Sequence, residues 1–255
     1  MSATPGRGTG TIQSVERALD VLLALAIAPG AGPTTIGAQL GLHKSTVHRL
    51  LRSMESRGFV ARDSATDRYR VGPAALQLAQ SSAIRPDLAA VAQPELTRLR
   101  DATSETAILD IRVGASRMCI AQAESRQEIR RSQPLGSPME IHAGAMGKVL
   151  LMDEPVDHLQ EIAQRVGFRK LTDHTPVTVE ALIAQIHKLR RDGYLVSVGE
   201  RVKGATTIAA PVRSSSGQVA AAVAVSGPTF RFGVPQARAV VPQLLETAAR
   251  IAARL

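Results

Sequence analysis

Lys44, Ser45, Thr46, His48, Arg49 and Arg52 are the residues whose types and spacing most clearly imply a chemistry. They interleave with Val47, Leu50, Leu51 and Met54, which fall at i, i+3, i+4 and i+7, so a helix starting near Lys44 or Ser45 turns its apolar stripe to a core. Its other side presents an ammonium, two guanidinium groups and short hydrogen-bonding side chains. Such a set holds phosphates by charge and reads base edges by directed hydrogen bonds. A basic amphipathic helix is equally often a solvated surface, so the choice rests on what surrounds it.

Other reactive residue types do not assemble. HAGAMGKV is only superficially a phosphate loop, because GxxxxGK[ST] needs Gly at His142 and Ser or Thr at Val149. His142, His158, His174 and His187 are scattered without a two-histidine helical pair and a nearby acid, so no metal site is expected. Cys119 lies in an apolar run and reads as a small core residue rather than a nucleophile. No nucleophile-elbow pattern supports acyl transfer. No catalytic residue and no cofactor are expected.

The elements around the basic helix carry the argument. From Ser14, a good N-cap, SVERALDVLLALAIA keeps Val15, Ala18, Leu19, Leu22 and Ala26 on one stripe until Pro29 and Gly30 stop it. A short helix follows, with Thr34 or Thr35 as N-cap, Ile36 and Leu40 inside, and Gly41 closing it in a left-handed conformation. The basic helix then starts almost at once, which is the helix-turn-helix layout. Gly58 ends it, Phe59 and Val60 open a strand, the turn runs from Asp63 to Asp67, and Arg68 to Val71 returns. This hairpin makes a wing on which Arg62, Arg68 and Arg70 can lie along phosphates, with Arg68 the principal backbone contact.

Four segments result: a mobile arm at 1–11, a winged helix-turn-helix at 12–72, a linker helix at 73–86 that contains Leu76, Leu78 and Ala79, and a second domain at 87–255. In that domain helices are expected over 88–102, 142–152, 156–166, 178–192 and, as one long closing helix, 234–255. ETAILDI and RMCIAQA read as strands around a turn, 127–132 as a third strand, and TIAAPV and QVAAAVAVS as a hairpin about SSSG. The fold class is α+β, an antiparallel sheet with flanking helices.

Composition sets outer bounds. The 255 residues suffice for two domains, and 44% hydrophobic with 21% charged residues is ordinary for a globular protein. Residues 1–85 hold 10 Lys and Arg against 5 Asp and Glu, while 86–255 hold 21 against 17, so the first third carries more than half of the +9 excess. That bias suits a polyanionic partner. The single cysteine excludes an internal disulfide, and neither a signal peptide nor a membrane span is apparent, so a cytoplasmic protein is expected.

QSVERALDVLLAL, GLHKSTVHRLL, HAGAMGKVLL and GERVKGATTIAAPVRSSSGQVAAAVAVSGPTFR closely resemble the IclR family of bacterial transcriptional regulators, in the family's order and spacing and over nearly the whole chain from Gln13. The resemblance implies a GAF-like effector-binding domain, a homodimer or dimer of dimers, double-stranded operator DNA as partner, and a small-molecule effector. It places the effector-binding positions at Ala145, Met146, Ser197, Thr207, Ala224 and Ser226. Family sensors of small 2-oxoacids often carry an acid, a cysteine and a serine where Ser197, Thr207 and Ala224 stand here. Their absence predicts a less charged pocket and a different or more apolar effector, with helix-start amides near Ala145 left to hold a carboxylate. An enzyme with an accessory nucleic-acid-docking winged helix is the competing expectation.

Overall fold

A computed structural model describes residues 12–81 and 86–255, so the expected arm at 1–11 and positions 82–85 of the expected linker helix lie outside the description. The chain divides into two units, Met1–Pro86 and Asp87–Leu255. Each has its own core.

In the first unit, α1 (Gln13–Ile27), α2 (Pro33–Leu40) and α3 (Lys44–Glu55) close on Val21, Leu25, Ile36, Val47, Leu51, Val60 and Tyr69. Two expectations about α1 need correction. Its N-cap is Ile12, without a capping side chain, and Ser14 sits inside the first turn. Its buried stripe is Val21, Ala24 and Leu25, with Ala18 and Leu22 half-buried; Val15, Leu19 and Ala26 face outward. The helix is apolar on two sides, so period alone could not select which side meets the core. Likewise α2 is capped by Gly32 and begins with Pro33, whose fixed φ and missing N–H suit a first helical position; Thr34 and Thr35 follow inside the turn.

Gly41 ends α2 in the left-handed region (φ 64°), and α3 begins three residues later. The wing is β1 (Val60–Asp63) antiparallel to β2 (Arg68–Val71), with Asp63 opposite Arg68. Its base closes on α4 (Pro73–Ser81) where Gly72 packs so tightly that a Cβ would stand 2.3 Å from the Gly58 carbonyl oxygen.

The second unit opens with α5 (Pro86–Thr103), then β3 (Thr106–Val113), β4 (Ser116–Ala123), β5 (Pro138–Glu140), α6 (Ala145–Leu150), α7 (Val156–Val166) and α8 (Val179–Asp192). It ends with β6 (Leu195–Val198), β7 (Ala205–Arg213), β8 (Val219–Pro228), α9 (Val234–Ala239) and α10 (Val241–Ala252). The strands form one antiparallel sheet in the order β5-β4-β3-β8-β7-β6. One face packs against α5, α9 and α10 through Leu96, Leu99, Val223, Val225 and Leu244; the other packs against α6, α7 and α8 through Ile108, Met146, Val149, Leu159 and Ile186. The fold is therefore a helix-turn-helix unit followed by an α+β domain.

A bulge in β4 matters later. Asp110 pairs with Cys119 and Leu109 with Ala121, leaving Ile120 as the extra residue. Ile120 and Ala121, neighbours in sequence, both pack on the α5 side, while Cys119 lies on the α6 side.

Two other expectations fail. Residues 127–132 form no strand, because their stretch is tied down by side chains: Thr106 Oγ1 donates to the Arg131 carbonyl (2.5 Å), and the Gln122 side chain bonds both backbone groups of Gln133 (3.0 and 3.1 Å). The third strand is β5 instead. The closing helix is two helices broken at Val240, since Pro242 in the first turn of α10 cannot continue the preceding hydrogen-bond ladder. Among the described residues no helix is long and apolar enough to cross a membrane.

Candidate functional site

The surface of α3 opposite its buried Val47 and Leu51 exposes Lys44, Ser45, Arg49 and Arg52, with Thr46 and His48 half-buried at its margin. On the wing, Arg68 and Arg70 flank buried Tyr69 and point to the opposite side of the strand. Arg68 Nη1 donates to the Gly30 carbonyl at 3.4 Å, which ties the wing to the loop after α1. Arg62 behaves differently: it lies opposite Tyr69 and pairs with Asp67 at 2.7 Å, and that hydrogen bond and charge raise its pKa. Among the described residues Lys44, Arg49, Arg52, Arg68 and Arg70 form no ion pair, and Arg70 acts on Asp63 only through space. Such a surface fits phosphate, with base edges within reach of the start of α3.

In the second unit a small cavity of about 40 Å³ opens beside α6. Its floor is a row across three strands: Ser197 pairs with Thr207 and Thr207 with Ser226, whose hydroxyls are hydrogen-bonded at 2.8 Å. Ala145 and Met146 supply one wall. Gly147 lets α6 approach, since a Cβ there would stand 1.8 Å from the Ile141 carbonyl oxygen.

Four charged residues, Arg117, Arg131, Glu200 and Arg201, also line it. Arg117 is buried and paired with buried Asp110; its Nη1 also donates to Gln133 Oε1 at 3.1 Å. Burial raises the Asp110 pKa against the pull of Arg117. Glu200 pairs with wholly buried Lys148 and accepts the Gly144 N–H at 2.9 Å. Burial lowers the Lys148 pKa while Glu200 opposes the shift. Arg131 and Arg201 complete the lining. Burial lowers both their pKa values, and neighbouring Arg117 and Arg131 lower that of Arg201 further. Arg201 is aimed by its loop, whose Gly199 and Glu200 carbonyls accept from Thr172 and Thr175 hydroxyls at 2.6 Å. Among the described residues no cluster of His, Cys, Asp and Glu could hold a metal ion.

Residues 80–253 match the family described as bacterial transcriptional regulator IclR C-terminal, and residues 14–64 match the IclR helix-turn-helix domain. The chain belongs to the IclR family. It is 35% identical over 241 residues to the HTH-type transcriptional regulator BhcR of Paracoccus denitrificans, covering 94% of this chain and 86% of that one. It is 31% identical over 221 residues to the HTH-type transcriptional repressor AllR of Klebsiella pneumoniae, covering 86% and 81%. An IclR transcriptional regulator from Alicyclobacillus acidocaldarius has the same fold, with a TM-score of 0.79 at 26% identity over 95% of this chain and 98% of that one. These relatives are regulators, so this IclR-family chain is a transcriptional regulator with a helix-turn-helix DNA-binding domain and a ligand-binding C-terminal domain. The enzyme alternative is set aside.

Within the IclR framework, five of the six positions suggested by resemblance line the cavity: Ala145, Met146, Ser197, Thr207 and Ser226. Ala224 does not. It is fully buried in the core beneath α6, two residues along β8 from Ser226. The expectation of a pocket poor in charge is overturned by Arg117, Arg131, Glu200 and Arg201. Two amides at the start of α6 already have partners, the Ala145 N–H donating to Ser197 Oγ (3.0 Å) and the Gly144 N–H to Glu200. Sequence reasoning missed the arginines because Arg117 stands alone on β4, Arg131 lies on an irregular segment and Arg201 on a loop 70 positions further on; only the RQEIRR run and the ER of GERVKG hinted at the last two.

Proposed function

We propose that this chain represses transcription by holding operator DNA as a homodimer or dimer of dimers, and that a small organic-acid effector in the C-terminal cavity alters that hold. The observation that carries the DNA reading is the set of cations on α3 and the wing that form no ion pair among the described residues. Each protomer places Lys44, Ser45, Thr46, His48, Arg49 and Arg52 against a half-site in the major groove, and Arg68 binds the sugar-phosphate backbone. Ala145, Met146, Ser197, Thr207 and Ser226 form the neutral part of the effector contact, and repression follows the sense of the relative named AllR.

Dimerisation is supported by the outward side of α1, where Ile12, Val15, Leu19, Leu23 and Ile27 are each more than half exposed and recur at helical spacing. A continuous apolar row of this kind is costly in water and suits a second copy. An effector shifts operator binding only by as much as its own affinity differs between the DNA-bound and released arrangements.

The test is a titration of the full chain against the duplex upstream of its own gene and against random duplex, at several salt concentrations. A sequence-dependent component over the nonspecific one is expected, weakened by the effector. Equal affinity for both duplexes under all conditions would overturn the reading.

A further inference from the structure

The cavity beside α6 holds more positive charge than the chain neutralises. Three guanidinium groups line it, and in each the Nε is buried without a hydrogen-bond partner. Arg117 has the Asp110 carboxylate. Glu200, the carboxylate in the lining itself, is already taken by Lys148 and the Gly144 N–H. Glu140 acts on Arg201 through space, yet it is bound to Arg169 at 2.6 Å. Among the described residues Arg131 and Arg201 therefore have no carboxylate of their own. Two charges remain for an occupant to meet.

We propose that the occupant is a small dianion, a short-chain dicarboxylate with one carboxylate bound by Arg131 and the other by Arg201. This rests on the reading of the cavity as the effector site. Burying an unpaired guanidinium with an unsatisfied N–H is unfavourable, and a carboxylate matches the planar donor fork with two parallel hydrogen bonds. A monoanion would leave one of the pair without a carboxylate. The Thr207 and Ser226 hydroxyls lie on the cavity floor, and the one of the pair that does not donate to the other is free to donate to a carboxylate oxygen. Size limits the frame: with only about 40 Å³ of free interior, the two carboxylates are separated by few carbons.

Calorimetry on the full-length chain with malonate and succinate, each against its monoamide (malonamate and succinamate), reads the second charge directly. At least one dicarboxylate is expected to bind about tenfold or more tightly than its monoamide. Arg131→Gln and Arg201→Gln should each bring that ratio close to one. Both ligand-free variants should melt no lower than the parent, since each loses a half-buried guanidinium that has no carboxylate partner and a buried, unbonded Nε. Inorganic phosphate, a dianion with a single centre, should bind more weakly than the better dicarboxylate.

The proposal is overturned if no dicarboxylate binds, if the monoamides bind equally well, if phosphate binds as tightly, or if the variants keep the parent's preference. It is also overturned if the ligand-free variants melt lower. A dicarboxylate that binds as described but leaves operator affinity unchanged would refute the effector reading and leave this inference standing. A monoanion that occupies the cavity and releases the operator would do the reverse.

Discussion

Arg49 and Arg52 project from a helix, whereas Arg68 projects from a strand anchored to Gly30, and the two placements predict different losses. Replacing Arg49 or Arg52 with Ala should weaken operator binding by about 1–3 kcal/mol and relax specificity at one base pair if the side chain reads a guanine. Replacing Arg68 should weaken specific and random duplex alike and reduce the salt slope by about one. Binding isotherms at three salt concentrations separate the two cases. At the other site, Glu200→Gln leaves the buried Lys148 ammonium without its carboxylate, so a loss of about 3–5 kcal/mol in unfolding free energy is expected by denaturant titration. Cys119 offers a simpler check. Burial, with Asp110 nearby, pushes its thiol up to about 12, so alkylation at neutral pH should be absent in the native protein and complete after unfolding.

Among the elements, α1 makes the most distinctive prediction. Leu19→Lys interrupts the outward apolar row without touching Val21 or Leu25, so it should leave the melting of an isolated protomer unchanged while shifting sedimentation toward the monomer and lowering operator affinity. A variant that sediments like the parent would remove α1 from the interface. This helix also shows where the amino-acid sequence is silent. Elements with punctuation were legible: α2 before Gly41, and α8 between the Thr178 cap, which accepts the Ala181 N–H, and Gly193. Where punctuation conflicts with period the reading failed, as at Pro242, and where period fits two sides it chose the wrong one, as in α1. The cavity was half legible. Its neutral wall lies on regular strands and a helix, but its charged wall depends on the tethered stretch ending at Gln133 and on the loop after β6, neither of which carries a periodic signal.

For the molecule as a whole, the two units have separate cores: Val21, Ile36, Val47 and Leu51 in one, and the residues packed on the two sides of the sheet in the other. Residues 87–255 produced alone should therefore fold cooperatively, retain any small-molecule binding of the full chain, and lose affinity for duplex DNA. Circular dichroism melting and calorimetry check the first two statements, and a DNA titration the third. An unfolded fragment would show that the first unit contributes to the stability of the second.

The extra residue in β4 also constrains how this gene can vary. Removing Ile120 would only regularise the ladder, since every other residue keeps its partner, whereas removing Met118 would draw Arg117 into the position opposite Ile111, in the oily layer beneath α5. Loss of a codon between Arg117 and Cys119 should therefore be far more damaging than loss of the one for Ile120. Among descendants of the gene, any shortening of this strand should fall at the unpaired position.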